Sequence, residues 1–221
     1  MSKQIYLLGV GGSTPIYVDI ALDCGYEIAG LYHYNDERTG QMDHGYPILG
    51  SFEDLLNSDI GGQNFMLTMG NNEIREKIFE RLINKEGNVP TIFHPTAIVS
   101  RYATISDCGV IVGPYTEIQA DTNISCNTII GTNAVVGHGT TIMSNCFIGP
   151  KALVGASTKL EDNVFVGQAS TIVSGKVDVI GKYSLVGAGG IVTKSVPTNV
   201  IVAGNPVKVI RRRFEKYIIE E

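Results

Sequence analysis

An aliphatic residue returns every sixth position for ten consecutive repeats, at Ile118, Ile124, Ile130, Val136, Ile142, Ile148, Val154, Leu160, Val166 and Ile172. The position two before each is restricted as well, chiefly to Thr, Ala, Ser or Cys, as at Thr116, Thr128, Ala134, Cys146 and Ser170. Glycine often follows the aliphatic, at Gly131, Gly137, Gly149, Gly155 and Gly167. This period matches neither an α-helix nor the alternation of an ordinary half-buried strand. It fits a triangular coil whose sides are short strands, with the aliphatic pointing inward, the small residue in the tight corner and glycine supplying positive φ at the turn. Three sides make one coil, so Ile118, Val136, Val154 and Ile172 are expected to form one ladder within a continuous apolar core. Outside this run the register is expected to slip by one residue before Ile118, at Ile111, Ile105 and Ile98. It slips by two after Ile172 and resumes at Ile180, Val186 and Val192. A parallel β-helix is therefore expected from about Thr96 to Val209.

The N-terminal part has a different rhythm. KQIYLLG reads as a buried strand, followed by the turn Gly9-Val10-Gly11-Gly12-Ser13 and a helix from Pro15 to about Asp23. A second strand is expected at Tyr26–Tyr32, a short helix capped by Ser51, a strand at Phe65–Met69 ending in Gly70-Asn71-Asn72, and a helix over Glu73–Asn84. Alternating strands and helices predict a small Rossmann-like α/β domain over residues 1–90, with the β-helix and a basic tail over 91–221. The glycine turn stops short of a dinucleotide fingerprint, because Thr14 stands where a third glycine belongs. A glycine-rich strand-to-helix turn nevertheless aims backbone N–H groups at an anion, and Gly70 and Asn71 would line the same crevice.

Composition narrows the function. Net charge is −5, which gives no global basic footprint for nucleic acid. The apolar run at the N-terminus is broken at once by glycine, so neither an export signal nor membrane insertion is expected, and the reading is cytoplasmic. Cys24, Cys108, Cys126 and Cys146 show no CxxC spacing and read as reduced thiols acting as small apolar residues. The repeat region holds only His94 and His138, far apart, so no metal site is expected.

A GxGG α/β domain followed by hexapeptide repeats that open at FHPTA (93–97) and close with AGNP (203–206) resembles the bacterial sugar acetyltransferases of the PglD/NeuD type. The resemblance implies a left-handed coil, a first domain that binds a nucleotide-sugar, and a β-helix that binds acetyl-CoA between subunits of a homotrimer. It also implies a histidine general base, which falls on His138 in the segment Thr132–Gly139. Neutral imidazole suits that task near pH 7, although an exposed corner histidine without a role is the alternative. The same resemblance assigns cofactor contacts to Phe147, Gln168, Gly187 and Lys194, with Lys208 and Arg211–Arg213 near the phosphates. Substrate contacts fall on Gly11, Gly12, Ser13, Asn35, Gly70 and Asn71. Three positions depart from the family. Gly139 replaces an acidic residue, Phe147 replaces a second histidine, and His33-Tyr34 stands where an acidic pair is common.

The expected activity is acetyl transfer from acetyl-CoA to the amine of a nucleotide-linked aminosugar, serving surface glycan synthesis. O-acetylation of a sugar such as sialic acid is the near alternative. The missing acidic partner of His138 favours the amine, which needs less help from a base than a hydroxyl does. A nucleotide-sugar-binding homologue without catalysis is the remaining alternative, motivated by Gly139 and Phe147.

Overall fold

The structure is a computed structural model and describes residues 3–214. The chain begins with β1 (Lys3–Leu8), α1 (Thr14–Asp23) and β2 (Tyr26–His33). A hairpin of β3 (Met42–Asp43) and β4 (Tyr46–Ser51) follows, then α2 (Phe52–Asn57), β5 (Phe65–Leu67) and α3 (Asn72–Asn84). The sheet order is β3-β4-β2-β1-β5, parallel except for the β3–β4 pair. Ser51 and Asp54 close a reciprocal capping box that starts α2. The hairpin is invisible to sequence pattern, because its tight turn uses His44 and Gly45 at φ 47° and 86° in place of the usual Asn-Gly.

The repeats build a left-handed parallel β-helix with three flat faces. Ile118, Val136, Val154, Ile172 and Val192 stack as one inward ladder, and Ile124, Ile142, Leu160 and Ile180 as a second. Ile130, Ile148, Val166, Val186 and Val202 make the third. These residues form one buried core running the length of the prism. The two-residue slip after Ile172 occurs where expected, since Leu160 pairs with Ile180 and Val166 with Val186.

The slip before Ile118 lies elsewhere than the spacing suggests. Ile118 pairs with Val99, and Ile130 with Val112, so Val112 is inward and the seven-residue step runs from Ile105 to Val112. Ile111 turns outward into the core beneath α1, and Ile98 is 69% exposed. Two adjacent aliphatics at Ile111-Val112 and Ile98-Val99 leave the period unable to choose between them.

The corner glycines also act differently from expectation. Positive φ falls three residues before the inward aliphatic throughout the run from Ile118 to Ile172, on Asn127, Asn133, Asn145, Ser157 and Asn163 among others. The glycine after the aliphatic is needed for room, because a Cβ on Gly155 would run into the Ile172 carbonyl oxygen of the next coil. Asn and Asp tolerate the left-handed conformation, which frees glycine for the close approach.

The two parts are joined along the third face and its edge. Outward Ile92, Ile111 and Ile129 share a core with Ile5, Leu7, Tyr17 and Ile20. At the edge, the buried Arg75 of α3 donates to the carbonyls of Asn145 (2.9 Å), Cys146 (3.0 Å), Met69 (3.0 Å) and Asn127 (3.3 Å). Burial lowers its pKa to about 10, still far above neutrality, so the guanidinium stays charged. Glu76 accepts from the amides of Asn145 (2.8 Å) and Asn163 (3.2 Å), and Asn72 donates to the Asn163 and Val164 carbonyls (3.2 Å each). Arg213 closes the same seam from the other end, with Glu73 at 2.8 Å.

Arg75→Ala is expected to lower unfolding free energy by about 3–5 kcal/mol, since it strands buried acceptors on two coils. Arg75→Lys recovers little of this, because an ammonium cannot span the same fork. Gly155→Ala is expected to cost about 1–3 kcal/mol through overpacking. Urea unfolding of the three variants checks all of these values.

Candidate active site

Three hollows meet along one side of the molecule. The first lies at the carboxyl ends of β1 and β5 and is lined by Gly9, Gly11, Ser13, Tyr34, Gly70 and Ile74, among others. Its turn is closed locally. The Gly11 amide donates to the Thr14 hydroxyl at 2.7 Å, and that hydroxyl donates to the Gly11 carbonyl at 2.8 Å. Thr14, the residue in place of a third glycine, therefore stitches the turn to α1. The amides of Gly12 and Ser13 have no acceptor among the described residues, and Ser13 caps α1 without a side-chain hydrogen bond. Free donors at a helix N-terminus suit an anion. Asn71 Oδ1 caps α3 at Ile74 N (2.9 Å), and Asn35 Oδ1 contacts His33 Nδ1 at 2.8 Å. Both side-chain oxygens are thereby committed, and each amide nitrogen remains available.

The second hollow sits between α1 and the β-helix, against Ser13, Ile16, Tyr17, Thr132, Phe147 and Pro150. The third runs up the edge past Phe147, Pro150, Phe165, Gln168, Gly187 and Ala188. Ser13 is shared by the first pair of hollows, and Phe147 and Pro150 by the second pair. The three form a continuous track from the glycine turn to Gly187. Phe147 stacks on Phe165 at 4.8 Å and 6°, making a flat apolar floor where the resemblance implied a histidine.

The structure thus brings together Phe147, Gln168 and Gly187, and separately Gly11, Ser13 and Gly70. It keeps His138 and Lys194 apart from both groups. By register, His138, Ala156, Ser174 and Lys194 occupy equivalent places on successive coils, along the edge between the first and second faces. Gln168 and Ala188 lie on the edge between the third and first faces. The His138 imidazole is exposed and makes no hydrogen bond among the described residues, while its backbone N–H donates to Gln119 Oε1 at 3.1 Å. Lys194 lines a hollow with Lys208 at the end of the coil. Arg213, expected near phosphates, is committed to Glu73 and to the Tyr183 carbonyl (3.2 Å). Among the described residues no cluster of three or more His, Cys, Asp or Glu could hold a metal, and no helix is long and apolar enough to cross a membrane.

Comparison with known proteins is consistent with this anatomy. The PglD N-terminal domain family matches residues 4–82, and the bacterial transferase hexapeptide family (six repeats) matches residues 121–156. A histidine-to-asparagine variant of perosamine N-acetyltransferase from Caulobacter crescentus, solved with CoA and GDP-perosamine, superposes with a TM-score of 0.85 at 26% identity. That likeness covers 93% of this chain and 96% of the other. The chain thus joins a PglD-type N-terminal domain to bacterial transferase hexapeptide repeats. The acetyltransferase domain of PglB from Neisseria gonorrhoeae, in complex with acetyl coenzyme A, gives a TM-score of 0.84 at 26% identity, over 95% of this chain and 100% of that domain. An uncharacterized protein of Acanthamoeba polyphaga mimivirus is 35% identical over 129 residues, 56% of this chain. The chain spans only 24% of that protein's length, and 19% of a putative acetyltransferase of Saccharomyces cerevisiae that is 54% identical over 37 residues.

All four cysteines are free. Burial pushes the Cys146 thiol up to about 12, and burial followed by the neighbouring Cys126 pushes Cys108 up to about 11. The thiolate is the reactive form, so at pH 8 about one Cys108 in a thousand is ionised. Iodoacetamide labelling of native protein at pH 8 is expected to spare Cys146 and to reach Cys108 slowly. Cys108 labelling should accelerate about tenfold per pH unit until the pH approaches its pKa. Denaturant should expose both, as read by mass spectrometry.

Proposed function

We propose that the chain moves the acetyl group of acetyl-CoA to the amino group of a nucleotide-linked aminosugar, in surface glycan synthesis. The observation that carries this reading is the continuous track linking an anion-ready glycine turn to the groove at Gln168 and Gly187. It is supported by the likeness to an enzyme solved with CoA and GDP-perosamine. In this reading residues 1–90 hold the nucleotide-sugar, with its diphosphate on the Gly12 and Ser13 amides beside Gly11, Gly70, Asn71 and Asn35. Residues 91–221 hold acetyl-CoA along Phe147, Gln168 and Gly187. The last seven of those residues lie outside the described chain.

His138 is the general base. Its imidazole takes a proton from the amine as nitrogen attacks the thioester carbonyl, and the resulting imidazolium returns a proton to the departing CoA thiolate. A charged ammonium could not attack, so holding the acceptor unprotonated is the chief task of the base. Among the described residues no carboxylate bonds to the imidazole, which fits an amine acceptor better than a hydroxyl.

His138 and the cofactor groove occupy different edges, so a complete site needs two copies of the chain. The first face, lying between those edges, presents Ile98 and Leu153 (41% exposed) outward. Burying this face in a homotrimer sets the His138–Lys194 edge of one copy against the groove of the next. Lys194 then meets the phosphates of a cofactor held by its neighbour. In this reading the enzyme works in the cytoplasm, where it draws on acetyl-CoA.

His138→Ala is expected to lower kcat by about 10²–10⁴-fold with little change in KM for acetyl-CoA, since the base acts on the acceptor. A wild-type rate in that variant removes the histidine from the mechanism. Ser13→Pro deletes one amide donor and is expected to weaken nucleotide-sugar binding by about tenfold or more. Its acetyl-CoA affinity should stay unchanged in calorimetric titration.

A further inference from the structure

The crevice above the glycine turn holds a feature that diphosphate binding leaves unused. Tyr34, immediately after β2, is 64% exposed, and Ile74 on the first turn of α3 is 47% exposed, yet both line this crevice. The other walls are the glycine backbone with Val10, Ser13, Thr68, Met69 and the buried Phe52, and no carboxylate lines the crevice among the described residues.

The Tyr34 ring is braced from behind. His33 is buried, and its imidazole meets the Tyr34 ring with centroids 4.3 Å apart at 46°. His33 is fixed in turn by Asn35, whose carbonyl oxygen (3.1 Å) and Oδ1 (2.8 Å) both approach Nδ1. Both partners are oxygens, so Nδ1 carries the proton and the ring orientation is set. A tyrosine held this way offers its open face with little rotamer entropy left to lose on binding.

We propose that Tyr34 is the platform on which the nucleobase of the acceptor stacks, with Ile74 closing over it from α3. The proposal rests on the acceptor's being a nucleotide-sugar and adds how its base is chosen. An acidic pair at the end of β2 would read the N–H edge of a base by hydrogen bonding. Here that edge meets no carboxylate, and the available interaction is π-face contact, which tolerates any base but strengthens with ring area. A purine nucleotide is therefore held more tightly than a pyrimidine one. Selection comes from contact area rather than from base-edge recognition.

The test is calorimetric titration of GDP and of UDP into the full chain and into Tyr34→Ala, Tyr34→Leu and Tyr34→Phe, with acetyl-CoA binding and thermal melting recorded for each. Wild type and Tyr34→Phe are expected to bind GDP more tightly than UDP. Tyr34→Ala should lose about 10–100-fold in GDP affinity and most of the purine preference, with acetyl-CoA binding intact. Tyr34→Leu, which keeps apolar bulk without a π face, should fall between. Equal GDP and UDP affinities in wild type, or a Tyr34→Ala variant that binds GDP unchanged, would overturn the platform while leaving the acceptor reading standing. Binding of neither nucleotide to wild type would overturn both.

Discussion

The guanidinium of Arg75 spans backbone carbonyls on two successive coils and one loop of the α/β domain, and the rest of the geometry depends on this seam. A cation so deeply buried is tolerated because its donors are met by carbonyl dipoles and because Glu73 and Glu76 stand nearby. Those carbonyls belong to Asn127, Asn145 and Cys146, the corner where the chain adopts positive φ. The same strained corner that lets the coil turn also points its oxygens out toward α3. Docking of the first domain is in this way a consequence of the repeat geometry, and it fixes the glycine turn against the track that leads to Gln168.

The β-helix contributes position rather than chemistry. Each coil places its corner residues directly above those of the coil before, so close at Gly137, Gly149, Gly155 and Gly167 that a Cβ would meet the backbone of the next coil. One edge accumulates Thr132, Pro150, Gln168 and Ala188, and another His138, Ala156, Ser174 and Lys194. A prism cannot bring two of its own edges together. Separation of the His138 edge from the Gln168 groove is therefore built into the fold, and under the proposed function association of copies along the face between them completes the site.

Much of this was legible in the sequence, for physical reasons that differ by element. The ladder from Ile118 to Ile172 was readable because inward packing in a narrow prism admits only aliphatics of one size class at one spacing. The slip at Ile105–Val112 was hidden because Ile111 and Val112 satisfy the pattern equally, and only the presence of α1 decides which faces out. The role of Gly155 was misread because a glycine needed for close approach and one needed for positive φ look alike in sequence. Arg75 left no signal at all, since an arginine in an amphipathic helix normally reads as solvent-facing. Tyr34 was visible only as a departure from the family's acidic pair, and its exposure inside a crevice gives the departure a meaning.

The central claim is that one copy supplies His138 and its neighbour the Gln168 groove. Subunit complementation tests it most directly. His138→Ala and Gln168→Trp chains, each expected to be inactive alone, are co-expressed in equal amounts and purified together, and acetyl transfer is measured. A site shared between copies predicts recovery of about a quarter of the wild-type rate, because random assembly leaves that share of interfaces with both halves intact. Mixed assemblies no more active than either parent would contradict the shared site and place base and groove within a single chain.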